Sequence, residues 1–495
     1  MANVVVSTSS GSLRGQVSAR GVLAFKGVPY AAAPVGELRF RPPVPHAQWE
    51  GVREATKIGA ICPQNGSMEA MLLGSDMPPQ SEDCLFLNVW TPACDEATRP
   101  VMVWIHGGAY VTGSGSNPWY DGTDLASAGD VVIVTANYRV GSFGFTFVGD
   151  AGGERFAGSG NLGLLDQVAV LRWVKDNIAN FGGDAGNVTI FGESAGGGSV
   201  VALLAMPSAA GLFHKAIAQS ASFGQFRSRE RALAAGQQLL TALGIDPSQP
   251  HELLERSTVE ILAAQVAVEA WPDGITGYAP TPDGVVLPDD VLSAIDNGTA
   301  APHVPVMFGS NLDEMRLFTA FDPANAALDE AAVRLRVSAE IGGADCDGLV
   351  DAYRAARPGA TWGQIASTIG TEHTFHQPAI RAASARSDHG YPTWMYRFTW
   401  QSPAFGGVLG ASHAMEIPFV FGTLGHPGAT LLTGDAEDRN VVSAAMQRAW
   451  LAFAHLGNPG WARYATSDRQ TMVFDRECAV QADPEGDLRT MWAEQ

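Results

Sequence analysis

The chain is poor in cysteine, with five in 495 residues, at positions 62, 84, 94, 346 and 478. No two of them form a CxxC pair, and no Cys/His group has zinc-ligand spacing, which argues against a disulfide scaffold and a structural zinc site. His373 and His376 read as an incidental surface or pocket pair, not as metal ligands, and no metal or cofactor is expected. Basic residues are also scarce: 31 Lys and Arg stand against 51 Asp and Glu, for a net charge of −20 and a pI near 4.9. Such a surface repels phosphate backbones and anionic lipid, so neither nucleic acid nor a membrane surface is an expected partner. No apolar run reaches the roughly 18 residues that span a bilayer. The N-terminal MANVVVSTSS lacks a basic region followed by an apolar core, which points to the cytoplasm. Internal repeats, low-complexity tracts and long Pro/Gly/Ser linkers are missing too, so residues 1–495 are expected to form a single domain.

What is present is a series of strand-length apolar runs: Val101 to Ile105, Val131 to Ala136, Val188 to Phe191, Ala216 to Gln219, Val304 to Phe308 and Trp394 to Phe398. Runs apolar on both faces suit a mostly parallel sheet covered by helices on both sides, a doubly wound α/β architecture. Two stretches of helical pattern, about 228–297 and 328–387, read as insertions over one edge of that sheet. Val442 to His455 predicts a helix closed by Gly457, Asn458 and Pro459.

Chemistry concentrates where one apolar run ends. Gly192-Glu193-Ser194-Ala195-Gly196 fits G-x-S-x-G, a sharp strand-to-helix turn that lifts a serine hydroxyl clear of the sheet. A serine needs a base, and the base needs a group to orient it. Asn311-Leu312-Asp313-Glu314 supplies adjacent carboxylates after another strand, and Ser412-His413-Ala414 supplies a histidine on a loop of small residues. Serine, acid and histidine follow in the order of the acyl hydrolases. A second glycine-rich loop, His106-Gly107-Gly108-Ala109-Tyr110, also follows a strand. The N–H groups of Gly108 and Ala109, with that of Ala195, are candidates to hold an oxyanion, and Gly107 keeps side chains off their approach. His106 reads as a scaffold for that loop, not as the base.

These motifs, with Ser81-Glu82-Asp83-Cys84-Leu85-Phe86-Leu87-Asn88-Val89, the run from Asn161 to Asp184 and HAMEIPFVFG from His413 to Gly422, resemble the type-B carboxylesterase family in order across nearly the whole chain. This is the cholinesterase-like branch of the α/β-hydrolases, and the likeness is greatest to its bacterial members. The resemblance implies an α/β-hydrolase fold and a triad in which Ser194 is the nucleophile, His413 the base and Glu314 its orienting acid. Asp313 is then a neighbour, and Glu193 and Ser220 stand behind the triad. Arg139, Glu82, Asp83 and Asp166 are expected in structural ion pairs. Tyr110, Trp119, Tyr120, Phe318 and Phe375 are candidate pocket walls.

Departures from the family pattern narrow the expectation. Cys62 and Cys84, 22 positions apart, match a pair bridged in secreted relatives, where closure is worth about 3 kcal/mol; a cytoplasmic setting disfavours the bond. Residues 63–83 hold no aromatic side chain to grip a quaternary ammonium group, so choline esters are poor candidates. Met315 and Ala221 stand where many relatives have glycine, and either could reshape the pocket. The expected activity is hydrolysis of uncharged carboxylic esters, with a short-to-medium acyl group or an aryl or bulky alcohol. Alternatives are carbamate or anilide hydrolysis on the same triad and a non-catalytic binding protein. The expected partner is a small-molecule ester, and the assembly a monomer or small homo-oligomer.

Overall fold

The computed structural model describes residues 4–66, 78–269, 277–343 and 345–492. Parts of the aromatic-free stretch 63–83 and of both helical insertions thus lie outside the described residues. Within the described ones the backbone forms strands β1 (Val4–Thr8), β2 (Gly11–Val17), β3 (Leu23–Pro29), β4 (Val52–Glu54), β5 (Phe86–Thr91), β6 (Arg99–Ile105), β7 (Val132–Ala136), β8 (Gly183–Glu193), β9 (Lys215–Gln219), β10 (Val306–Asn311), β11 (Thr393–Phe398), β12 (Gln470–Phe474) and β13 (Ala479–Ala482). They build one sheet in the order β1-β2-β3-β5-β7-β6-β8-β9-β10-β11-β12-β13, with β4 beside β2. From β7 to β12 every pairing is parallel, and the strands outside that block pair antiparallel except β4, which runs parallel to β2.

Each apolar run of the sequence lies on one of the parallel strands. The strand in the run expected from Val304 begins at Val306, after Pro305, whose carbonyl accepts from Ala216 N of β9 at 3.0 Å. Alternation along these strands feeds two cores. Val101, Val103 and Ile105 of β6 face one, with the helices Leu162–Asn177 and Ala195–Ala205; Met102 and Trp104 face the other, with Asp438–Leu456. The sheet is therefore covered on both sides, as its two-sided apolar strands require. Asp438–Leu456 ends at Gly457 with φ 66°, the left-handed cap read from the sequence.

The helices Glu330–Ile341, Cys346–Ala356 and Trp362–Thr371 pack a small core of their own around Leu349, Val350 and Tyr353. Arg139 and Asp166 form a fully buried pair at 2.7 Å, and Arg39 holds Glu82 at 2.6 Å. Asp83 differs from expectation: it is exposed and forms no ion pair among the described residues. Cys62 and Cys84 are buried free thiols, and a hydrogen bond with Cys62, followed by burial, holds the Cys84 thiol well above its ordinary range. No helix among the described residues is long and apolar enough to cross a membrane.

Replacing Asp166 by alanine strands the Arg139 guanidinium in the core. Equilibrium urea unfolding is expected to show a loss of about 3–5 kcal/mol, while substitution of the exposed Asp83 changes little.

Candidate active site

β6, β8 and β10 end at the same edge of the sheet, where open α/β sheets carry their ligands. β8 stops at Glu193, and Ser194 turns the chain with φ 59° and ψ −122° into the helix Ala195–Ala205. That is a positive φ outside the left-handed helical basin, a costly conformation for a residue with a Cβ. It is held from both sides: Ser194 N donates to Gln219 O at 3.0 Å, and Ser194 O accepts from Gly198 N at 2.8 Å. Strand and helix cross so closely that a Cβ on Gly196 would lie 2.1 Å from Ile105 O. Glycine is required there by space, not by a turn preference.

The loop after β6 passes directly in front of this turn. A Cβ on Gly107 would come within 3.1 Å of Ser194 Cβ, and Ala109 and Tyr110 hold positive φ values of 52° and 62°. Among the described residues, the N–H groups of Gly108, Ala109 and Ala195 donate to no acceptor in the protein. His106 is buried beneath the loop, stacked on Tyr138 at 4.2 Å, and burial lowers its pKa to about 4. A neutral scaffold ring fits the expectation for it.

His413 reaches the same place from the long connection after β11. Its Nδ1 meets Glu314 Oε2 at 2.7 Å, and its Nε2 lies 3.1 Å from Glu193 Oε1. Glu314 Oε1 accepts from Ser220 Oγ and from Asn311 N, both at 2.6 Å. Three donors thus hold one buried carboxylate. Burial opposes protonation of His413, yet Glu193, Glu314 and Glu416 together outweigh it and raise its pKa to about 9. Asp313, the neighbouring acid, anchors the histidine loop by accepting from Ala411 N at 3.0 Å and pairing with Arg316 at 3.1 Å. Ser194 Oγ makes no hydrogen bond among the described residues.

Gly107, Gly108, Ala109, Glu193, Ser194 and His413 line one cavity of about 1730 Å³. The model of the Carboxylesterase family matches residues 2–486. The chain belongs to the carboxylesterase family. A para-nitrobenzyl esterase of Bacillus subtilis is 39% identical to it over 99% of this chain and 98% of that protein. A phenmedipham hydrolase of Pseudarthrobacter oxydans is 36% identical over 96% of each. A crystal structure of a carboxylesterase from Geobacillus stearothermophilus superposes with a TM-score of 0.89 at 43% identity, covering 99% of both chains. This carboxylesterase therefore has the α/β-hydrolase fold, and its class of reaction is the hydrolysis of carboxylic esters.

Of the candidate pocket walls, Trp119, Tyr120, Phe318 and Phe375 line the cavity, as does Met315. Tyr110 does not. The positive φ of its turn sends the ring into the core against Phe145, and its hydroxyl meets Ser199 and Ser222 behind the serine helix. Ala221 is likewise core. His373 is exposed and lines the cavity, whereas His376 is buried and bonded to Ser310, so the two do not act as one surface or pocket pair. Among the described residues no cluster of His, Cys, Asp and Glu could hold a metal.

Three supporting residues went unread in the sequence. Asn311 ties the histidine loop down by donating to Ser412 O at 2.8 Å and Glu416 Oε2 at 2.7 Å, and Gln219 donates to Glu416 Oε1 at 3.1 Å. The signal available for Glu416 was its place three residues after His413 in HAMEIPFVFG. Because Glu193 raises the His413 pKa, Glu193→Gln is expected to shift the imidazole's titration, followed by NMR, to lower pH. An unmoved titration would remove Glu193 as a source of the shift.

Proposed function

We propose that this carboxylesterase works through Ser194, His413 and Glu314 by way of a covalent acyl-enzyme. His413 Nε2 takes the Ser194 proton as the hydroxyl attacks the ester carbonyl, and Glu314 fixes the tautomer by accepting from Nδ1–H. The oxyanion is held by the N–H groups of Gly108, Ala109 and Ala195, each worth about 3 kcal/mol in the transition state. His413 then gives its proton to the leaving alcohol, and the same cycle with water frees the acid. The observation that carries this reading is the 2.7 Å contact between His413 Nδ1 and Glu314 Oε2, on a ring that lines the same cavity as Ser194.

Nε2 lies 3.1 Å from Glu193 Oε1, and Ser194 Oγ makes no hydrogen bond among the described residues. Hydrogen bonds of a catalytic base commonly tighten only when substrate is bound. The neutral form of His413 is the base, so activity is lost as pH falls through its folded pKa.

Aromatic walls at Trp119, Tyr120, Phe318 and Phe375 favour uncharged esters with short-to-medium acyl groups or aryl and bulky alcohols. We place the enzyme in the cytoplasm, as a monomer or small homo-oligomer, acting on small molecules and not on nucleic acid or membranes. The relative named as a phenmedipham hydrolase, not an esterase, favours a second reading, carbamate or anilide cleavage on the same triad.

Ser194→Ala is expected to cut hydrolysis of para-nitrophenyl butyrate by at least about 10⁴-fold with an unchanged circular dichroism spectrum. An undiminished rate would sink the assignment. In a series of aryl esters the rate should peak at a short-to-medium acyl length, and a phenyl carbamate turned over faster than every ester would favour the second reading.

A further inference from the structure

The helix Trp362–Thr371 does not run straight into Gln377–Asp388. Between them Glu372–His376 forms a π-helical turn, a wide and poorly bonded conformation that persists where its surroundings dictate it. Both ends of this turn are tied to the strands that carry the site. Glu372 Oε1 accepts from Arg397 Nη2 of β11 at 2.6 Å, and Oε2 accepts from Gln377 Nε2 at 2.7 Å. His376 Nδ1 shares a hydrogen bond with Ser310 Oγ of β10 at 2.8 Å, one residue before Asn311, whose N–H holds Glu314. Just before the turn, Thr371 Oγ1 accepts from Met315 N at 3.0 Å, one residue after Glu314.

Glu372 and Arg397 are 2% and 3% exposed. A buried ion pair seldom adds net stability over an apolar pair of the same volume. Its geometric effect is more specific: with both anchors made, Phe375 between them lies against the face of His413, ring centroids 4.8 Å apart and tilted by 37°. The contacts at Nδ1 and Nε2, to Glu314 and Glu193, both lie on the ring edge and leave the imidazole free to rock about the line joining them. Packing on the ring face removes that freedom. Phe318 touches the ring too, at 5.5 Å, but it is 46% exposed, whereas Phe375 is 5% exposed and tied to the framework.

We propose that the π-helical turn is a positioning element for the active-site imidazole, and that Phe375 is its point of contact, a positioning residue more than a wall for substrate. The inference rests on the reading of His413 as the base. Phe375→Leu is expected to lower kcat for para-nitrophenyl acetate about tenfold or more, since small misplacements of a reacting group are costly. KM for this small ester stays nearly unchanged. The far-downfield proton resonance of the His413–Glu314 hydrogen bond, assigned by its loss in His413→Ala, broadens or moves. Phe375→Tyr, which keeps the ring, restores most of kcat. A rise in KM alone, or an unaltered kcat and resonance, overturns the proposal in favour of a plain pocket wall. Should Phe375→Leu fail to fold by circular dichroism, Glu372→Gln is the second variant, expected to reduce kcat in the same manner and overturning the role of the turn if it does not. Wild-type activity in His413→Ala would instead overturn the reading of the base, a separate outcome.

Discussion

The close crossing of β8 and the helix Ala195–Ala205 over the end of β6 is the constraint on which the rest of the site depends. It demands glycine at 196, where a Cβ would sit 2.1 Å from Ile105 O, and it forces Ser194 to φ 59°. Strain of that kind persists only if neighbours over-determine it. Here they do so from two further strands: Gln219 at the end of β9 accepts the Ser194 N–H, and the loop after β6 passes too near for any side chain at Gly107. The same crossing aims the helix N-terminus toward the cavity, so unpaired N–H groups and the strained serine share one place.

Around this backbone feature the electrostatics are arranged in depth. Glu193, Glu314 and Glu416 are all buried, a costly concentration of carboxylates. Glu314 is satisfied by Ser220, Asn311 and His413, and Glu416 by Gln219 and Asn311. Burial raises the Glu416 pKa, with Glu314 adding to it. Asn311 links the two acids, donating from its backbone to one and from its side chain to the other. The result is an imidazole whose protonated form is favoured despite burial, a direct consequence of carboxylates on more than one side.

Much of this was legible from local pattern. The apolar runs marked the parallel strands, G-x-S-x-G marked the strained turn, and Gly457 marked the end of the long C-terminal helix, because turn geometry and strand burial leave their requirements on adjacent residues. Tyr110 shows the limit: an aromatic beside a glycine-rich loop reads as a pocket wall, yet two successive positive φ values turn it inward. The π-helical turn left no mark either, since His373 and His376 look alike in the sequence and only the anchors on β10 and β11 separate their surroundings.

By itself the amino-acid sequence determined the fold class, the strained serine turn and the family, each written in short-range spacing or in ordered motifs. Only the tertiary structure decided which side chains surround His413, that Asp313 clamps its loop while Glu314 faces its ring, and that Phe375 is held against it from below. Those contacts join residues 38 to 220 positions apart, as in Phe375 with His413 and Glu193 with His413. They are set by the order of strands in the sheet, and strand order has no periodicity that a linear chain can display.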